Sequence, residues 1–99
     1  MAKRNINWDK EAWKDFIAIL QYIAEDSPEN AILVSNRVWE TISRLPEHPK
    51  MYKVDSLKVK NDGSFRVLVS DRIRVTYQIT ATLIRIVRVR HTSQEPLEY

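Results

Sequence analysis

The chain of 99 residues has no cysteine. That absence excludes a disulfide framework, a thiolate nucleophile and a sulfur-ligated zinc, so packing alone must stabilise the fold. There is a single glycine, Gly63, which excludes a phosphate-cradling glycine loop and a Gly-x-Ser-x-Gly nucleophile elbow. The two histidines, His48 and His91, are far apart and lack nearby ligand spacing, so no metal and no other cofactor is expected. No apolar run approaches the roughly 18 residues that would cross a membrane, and residues 1–8 contain no apolar stretch of signal-peptide type. The expected location is therefore the cytoplasm, with no membrane partner.

What is present suits an ordinary globular fold: 43% hydrophobic and 29% charged residues, a balance that disordered chains lack. The length suits one domain spanning residues 1–99. The net charge of +3 is unevenly spread. Residues 1–49 carry six Lys/Arg against eight Asp/Glu, whereas residues 50–90 carry ten against three. A basic second half points to one face that meets a polyanion, or to a solvated surface with a skewed charge.

Asn5–Trp8 alternates and reads as a short strand. From Asp9, a candidate N-cap, the positions Ala12, Trp13, Phe16, Ile17, Leu20 and Ile23 form the stripe of a helix that stops near Glu25. Ser27-Pro28-Glu29 starts a second helix, with Ser27 as cap and Pro28 at the first helical position. Its buried face is Ala31, Val34, Val38, Ile42 and Leu45, and it ends against Pro46. Such a short connection predicts a helical hairpin.

After a loop over 46–56 the period changes to two. Leu57–Lys60 reads as a first meander strand, and Asn61-Asp62-Gly63 as a tight turn in which the glycine takes positive φ. Ser64–Val69 separates Phe65, Val67 and Val69 from Arg66 and Leu68, and Ile73–Ile79 separates Ile73, Val75, Tyr77 and Ile79 from Arg74, Thr76 and Gln78. Leu83–Arg90 is apolar on both parities, which predicts a central strand buried on both sides or interrupted by a bulge. The fold class is α+β: a short strand and a helical hairpin on one face of an antiparallel sheet of about four strands. The opposite face is expected to present Arg66 and Arg74, joined by Arg88 and Arg90 if Val87 and Val89 take the core side.

The strings Tyr-Ile-Ala-Glu-Asp-Ser-Pro-Glu-Asn-Ala (22–31), Ile-Ser-Arg-Leu-Pro-Glu-His-Pro (42–49), Gly-Ser-Phe-Arg-Val-Leu (63–68), Ile-Arg-Val-Thr-Tyr-Gln-Ile (73–79) and Val-Arg-His-Thr-Ser-Gln-Glu-Pro-Leu-Glu-Tyr (89–99) recur in this order. Together they resemble the RelE/ParE superfamily of toxins from bacterial type II toxin-antitoxin modules. The resemblance implies a RelE-like fold and a cognate antitoxin protein as partner. It also implies one of two activities: RelE-type members cleave messenger RNA on the ribosome without a metal, and ParE-type members inhibit DNA gyrase. The Asp-Ser-Pro-Glu-Asn-Ala hairpin resembles the ParE branch; Arg66, Arg74, His91 and Tyr99 match the RelE branch, while Leu68 stands where RelE carries a second lysine.

The expected activity is ribosome-dependent mRNA cleavage, with gyrase inhibition as the alternative. Metal-free cleavage needs a base for the 2′-hydroxyl, cations for the phosphorane and an acid for the leaving 5′-oxygen. Arg74 and Arg66 are the candidate cations, His91 the acid or base, Tyr99 a stacking or proton-donating group, and Glu95 a weaker base. Arg88, Arg90, Lys58 and Lys60 are candidate nucleic-acid contacts. Each has a plainer reading: Arg74 pairs with Asp71 or Asp62, and Tyr99 only packs. Trp13, Ile32 and Trp39 lie off the main helix stripes, as a surface for the antitoxin or as the widened edge of a core.

Overall fold

The computed structural model describes residues 4–94 and 97–99. Its elements are β1 (Asn5–Trp8), α1 (Lys10–Asp26), α2 (Pro28–Ser43), β2 (Phe65–Ser70), β3 (Ile73–Ile79) and β4 (Leu83–His91). The hairpin junction forms as its residue chemistry dictates. Ser27 ends α1 by donating its N–H to Ile23 O, and its Oγ accepts the N–H of Asn30 at 3.1 Å, with Pro28 opening α2. Asp9 occupies the N-cap position of α1 but makes no cap bond; both carboxylate oxygens instead take Arg85, at 2.9 and 2.7 Å.

The sheet order is β1-β4-β3-β2. It differs from the expected antiparallel sheet because β1 runs parallel to β4, Asn5 beside Leu83 and Trp8 beside Ile86. A four-residue strand with no turn to its partner carries nothing in its sequence that fixes direction. Its position is set by tertiary packing, as Ile6 and Trp8 join Ile84 and Ile86 on the core side. Leu57–Lys60 is not a strand. Its backbone pairs elsewhere: Tyr99 N–H donates to Leu57 O and Val59 N–H to Tyr99 O. Among the described residues, an isolated bridge, Val54 to Arg66, is what lies along the outer edge of β2. Gly63 does take positive φ, at 95°.

β4 is central and bulged. The register passes from Tyr77↔Ile86 to Thr76↔Arg88, leaving Val87 as the extra residue. The consequence is large, because a one-residue slip exchanges the faces of everything beyond it. Ile84 and Ile86 point to the helices before the bulge and Val89 after it, so Arg88 and Arg90 project from the other side. Strict alternation would have driven both arginines into the core.

The core lies between the helices and the sheet, with Phe16 from α1, Val34, Val38 and Ile42 from α2, Leu68 from β2, Val75 and Tyr77 from β3, and Ile84, Ile86 and Val89 from β4. Here the assignment of β2 faces is corrected. Leu68 pairs with Val75 and Arg66 with Tyr77, so Leu68 is core and Arg66 lies on the helix side, opposite to Arg74. Phe65, Val67 and Val69 share the outer face, where Val67 is nonetheless buried under residues 53–55.

Candidate functional site: the outer face of the sheet

The side of the sheet away from the helices is not open. Residues 53–60 and 97–99 fold across it and converge on Asp55, which is 1% exposed. Its carboxylate accepts from four donors: the Leu57 N–H at 3.0 Å, Arg74 Nη2 at 2.8 Å, Thr76 Oγ1 at 3.0 Å and the Tyr99 hydroxyl at 2.6 Å. Burial pushes this carboxyl up, but hydrogen bonds from Tyr99, Leu57, Arg74 and Thr76 outweigh it and hold the group below the ordinary carboxylate value. Asp55 therefore stays ionised and acts as an acceptor hub.

The local chain explains how the hub forms. An aspartate that bonds the amide two residues ahead makes an Asx turn, and Asn61 repeats the device with Gly63 while its Nδ2 ties down Asp55 O at 3.1 Å and Phe65 O at 2.8 Å. The loop is thus fixed against β2, and Asp55 reaches across to β3. Sequence reasoning missed Asp55, although it is the single acid in 50–60, among four lysines. It named Asp71 and Asp62 as possible partners for Arg74 instead; Asp71 pairs with Arg37 at 2.8 Å and Asp62 bonds Ser64.

The candidate residues separate into groups. Arg74, Arg88, Arg90, Tyr99 and Lys58 gather on the outer face. The Arg88 guanidinium lies 4.5 Å from the Tyr99 ring centroid and donates to Leu97 O at 2.7 Å, and Lys58 Nζ sits 4.9 Å from the Phe65 ring and 5.5 Å from that of Tyr99. Lys60 is an exposed turn residue with φ 54°. Arg66 is excluded from this group by the register of β2, and its Nη1 donates to Tyr52 O at 2.8 Å. His91 ends β4 and lines a small cavity with Arg74, Arg88 and Arg90, but it pairs with the core residue Ile73 and also lines the clefts beside Tyr22 of α1, so it sits at the edge between the two faces. Its Nδ1 accepts the Ser93 N–H at 3.1 Å and lies 2.7 Å from Ser93 Oγ. Glu95 lies outside the described residues.

Trp13 and Trp39 meet at a centroid distance of 6.1 Å and share a cluster with Trp8 and Phe16, while Ile32 lies apart in an apolar groove between α1 and α2. Both tryptophans are about two-fifths exposed and Ile32 63%. They are spare apolar surface as well as the rim of the core.

Chemically, the outer face offers guanidinium groups but little proton traffic. Burial, with the bond to Asp55, raises the Tyr99 phenol above its ordinary value, so it holds its proton. Among the described residues no group of three or more histidine, cysteine or acidic side chains is placed to hold a metal, and no helix is long and apolar enough to cross a membrane.

No curated protein matches the chain by sequence. Solved structures do match in fold. A chain of the chromosomal ParDE toxin-antitoxin system from P. aeruginosa aligns with TM-score 0.69 at 17% identity, over 90% of this chain and 96% of that one. The E. coli DinJ-YafQ toxin-antitoxin complex gives TM-score 0.59 at 15% identity over 93% and 96%, and YafQ from E. coli strain BL21(DE3) gives 0.56 at 15% over 92% and 96%. At such identities these likenesses speak for the fold. Residues 6–96, nearly the whole described chain, match the family described as ParE toxin of type II toxin-antitoxin system, parDE, and the protein therefore belongs to that family of toxins.

Proposed function

We propose that this toxin arrests growth by binding DNA gyrase, without cutting RNA. The observation that carries this reading is the engagement of Arg74 and Tyr99 by the buried carboxylate of Asp55. A metal-free nuclease needs a free acid, a free base and cations aimed at one phosphate. Here Arg66 stands on the far side of the sheet, and the Tyr99 proton is held by Asp55. Arg74 is held to that same carboxylate by one of its donors, which fixes its position beside Asp55. His91 is the one imidazole that lines a cavity with the arginines, and one imidazole does not make an acid-base pair. Membership of the ParE family supports the same target.

The partner that silences the toxin is a cognate antitoxin, and its contact surface is the helical hairpin. Trp13 and Trp39 form one anchor there and Ile32, two turns before Trp39 on α2, the other. The toxin works in the cytoplasm, where both gyrase and antitoxin would meet it.

The test adds purified toxin to a gyrase supercoiling reaction and, separately, to a translating ribosome extract. Lost supercoiling with intact transcripts is the expected result. Cut transcripts with normal supercoiling would replace this reading with ribosome-dependent mRNA cleavage, for which the cavity joining His91 to Arg74, Arg88 and Arg90 would be the site.

A further inference from the structure

The bulge at Val87 and the pairing of Arg74 with Arg90 force like charges together at one end of the outer face. Arg74, Arg88 and Arg90, with His91, line a cavity of about 80 Å³ walled by Leu57 and Leu97. A cavity of that size takes a small anion rather than an extended ligand. Among the described residues, Arg74 gives one N–H to Asp55 and Arg88 one to Leu97 O, which leaves donors on both for a ligand. Arg90 pairs with no carboxylate among the described residues. Burial, then the neighbouring Arg90, pulls the Arg88 guanidinium below its ordinary value, a sign of charges crowded in a partly dry site.

We infer that this cavity is a binding site for a phosphate dianion: a phosphomonoester, a terminal nucleotide phosphate or inorganic phosphate. Among the described residues, three guanidinium groups line the cavity and the one carboxylate bonded to them is Asp55, an excess of positive charge that a phosphate dianion offsets more fully than the singly charged phosphodiester of a nucleic-acid backbone. Forked guanidinium donors match the tetrahedral oxygens, and the leucine walls reduce competition from water. The site needs no chemistry at the phosphorus and stands whether or not gyrase is the target.

The test is calorimetric titration of the purified chain at about pH 8, well above the second ionisation of a phosphomonoester at about 6. The titrants are inorganic phosphate, a short 5′-phosphorylated oligonucleotide and the same oligonucleotide with a 5′-hydroxyl, each at matched ionic strength. Saturable binding of the first alone marks a free-phosphate site; binding of the first two marks a phosphorylated end. Arg90→Ala is expected to weaken either by about tenfold or more, the loss of one charge-assisted contact, whereas Lys10→Ala leaves it unchanged. Equal binding by Arg90→Ala, or an oligonucleotide with the 5′-hydroxyl binding as tightly as its phosphorylated form, would overturn the site. In the unmutated protein, phosphate is expected to shift the side-chain NMR signals of Arg74, Arg88 and Arg90; shifts confined to Arg37 and Arg44 would also overturn it.

Discussion

On the helix side of the sheet, Phe16, Val38, Ile42, Val75 and Ile86 exclude water by apolar contact, whereas on the far side one carboxylate does comparable work through four hydrogen bonds. The two solutions differ in what they demand. Apolar packing tolerates volume-conserving exchange, but a buried charge needs every partner in place. The polar side is also where the arginines meet, so the face that holds the candidate site is the one built on the more exacting device. That pattern favours a rigid display of guanidinium groups over a mobile catalytic centre.

The comparison breaks most visibly at its two centres. Phe16→Ala and Asp55→Ala should each cost about 3 to 5 kcal/mol in urea unfolding, the first by leaving a cavity and the second by stranding a partly buried Arg74. Their pH dependence should separate them. The carboxyl of Asp55 is depressed in the folded state, so its contribution is complete above the unfolded carboxylate value and disappears as pH falls through the folded one. Unfolding measured across the acid range should therefore keep its full acid slope in Phe16→Ala and a shallower slope in Asp55→Ala.

Tyr99→Phe sharpens the contrast at smaller scale. It removes one hydroxyl from a charged acceptor and should cost about 1.5 to 3 kcal/mol, with acid unfolding beginning at higher pH because Asp55 loses a donor. Equal acid midpoints for Tyr99→Phe and the parent would show that residues 97–99 do not bear on the hub. Ser27→Ala, which touches neither face, should cost about 1 kcal/mol through its lost cap bond to Asn30, and circular dichroism melting should leave the acid slope unaltered.

The parts legible in the sequence were those fixed by neighbours in the chain. The helix stripes, the Ser27-Pro28 junction and the positive φ of Gly63 rest on local periodicity and turn chemistry. The double parity of β4 announced its central place and left burial on both sides or a bulge as the alternatives; Arg88 and Arg90 do lie on the outer face, but Val87, expected with Val89 on the core side, is the bulge residue instead. What escaped depends on partners far along the chain. Leu57–Lys60 alternates like a strand yet pairs with Tyr99. The alternation in β2 divides its residues correctly, but three apolar side chains on one parity outvoted Leu68, and only the register with β3 shows that Arg66 shares the helix side with Leu68. Asp55 was hidden because a lone acid in a lysine-rich loop looks solvated until the sheet and residues 97–99 close over it.

The account stands or falls on whether the Asp55-bound arginine and tyrosine take part in RNA scission. The most direct measurement maps transcript 5′ ends in a translating ribosome extract treated with the toxin or with its Arg74→Ala variant. The account predicts no new ends with either protein. New ends produced by the toxin and absent with Arg74→Ala would contradict it.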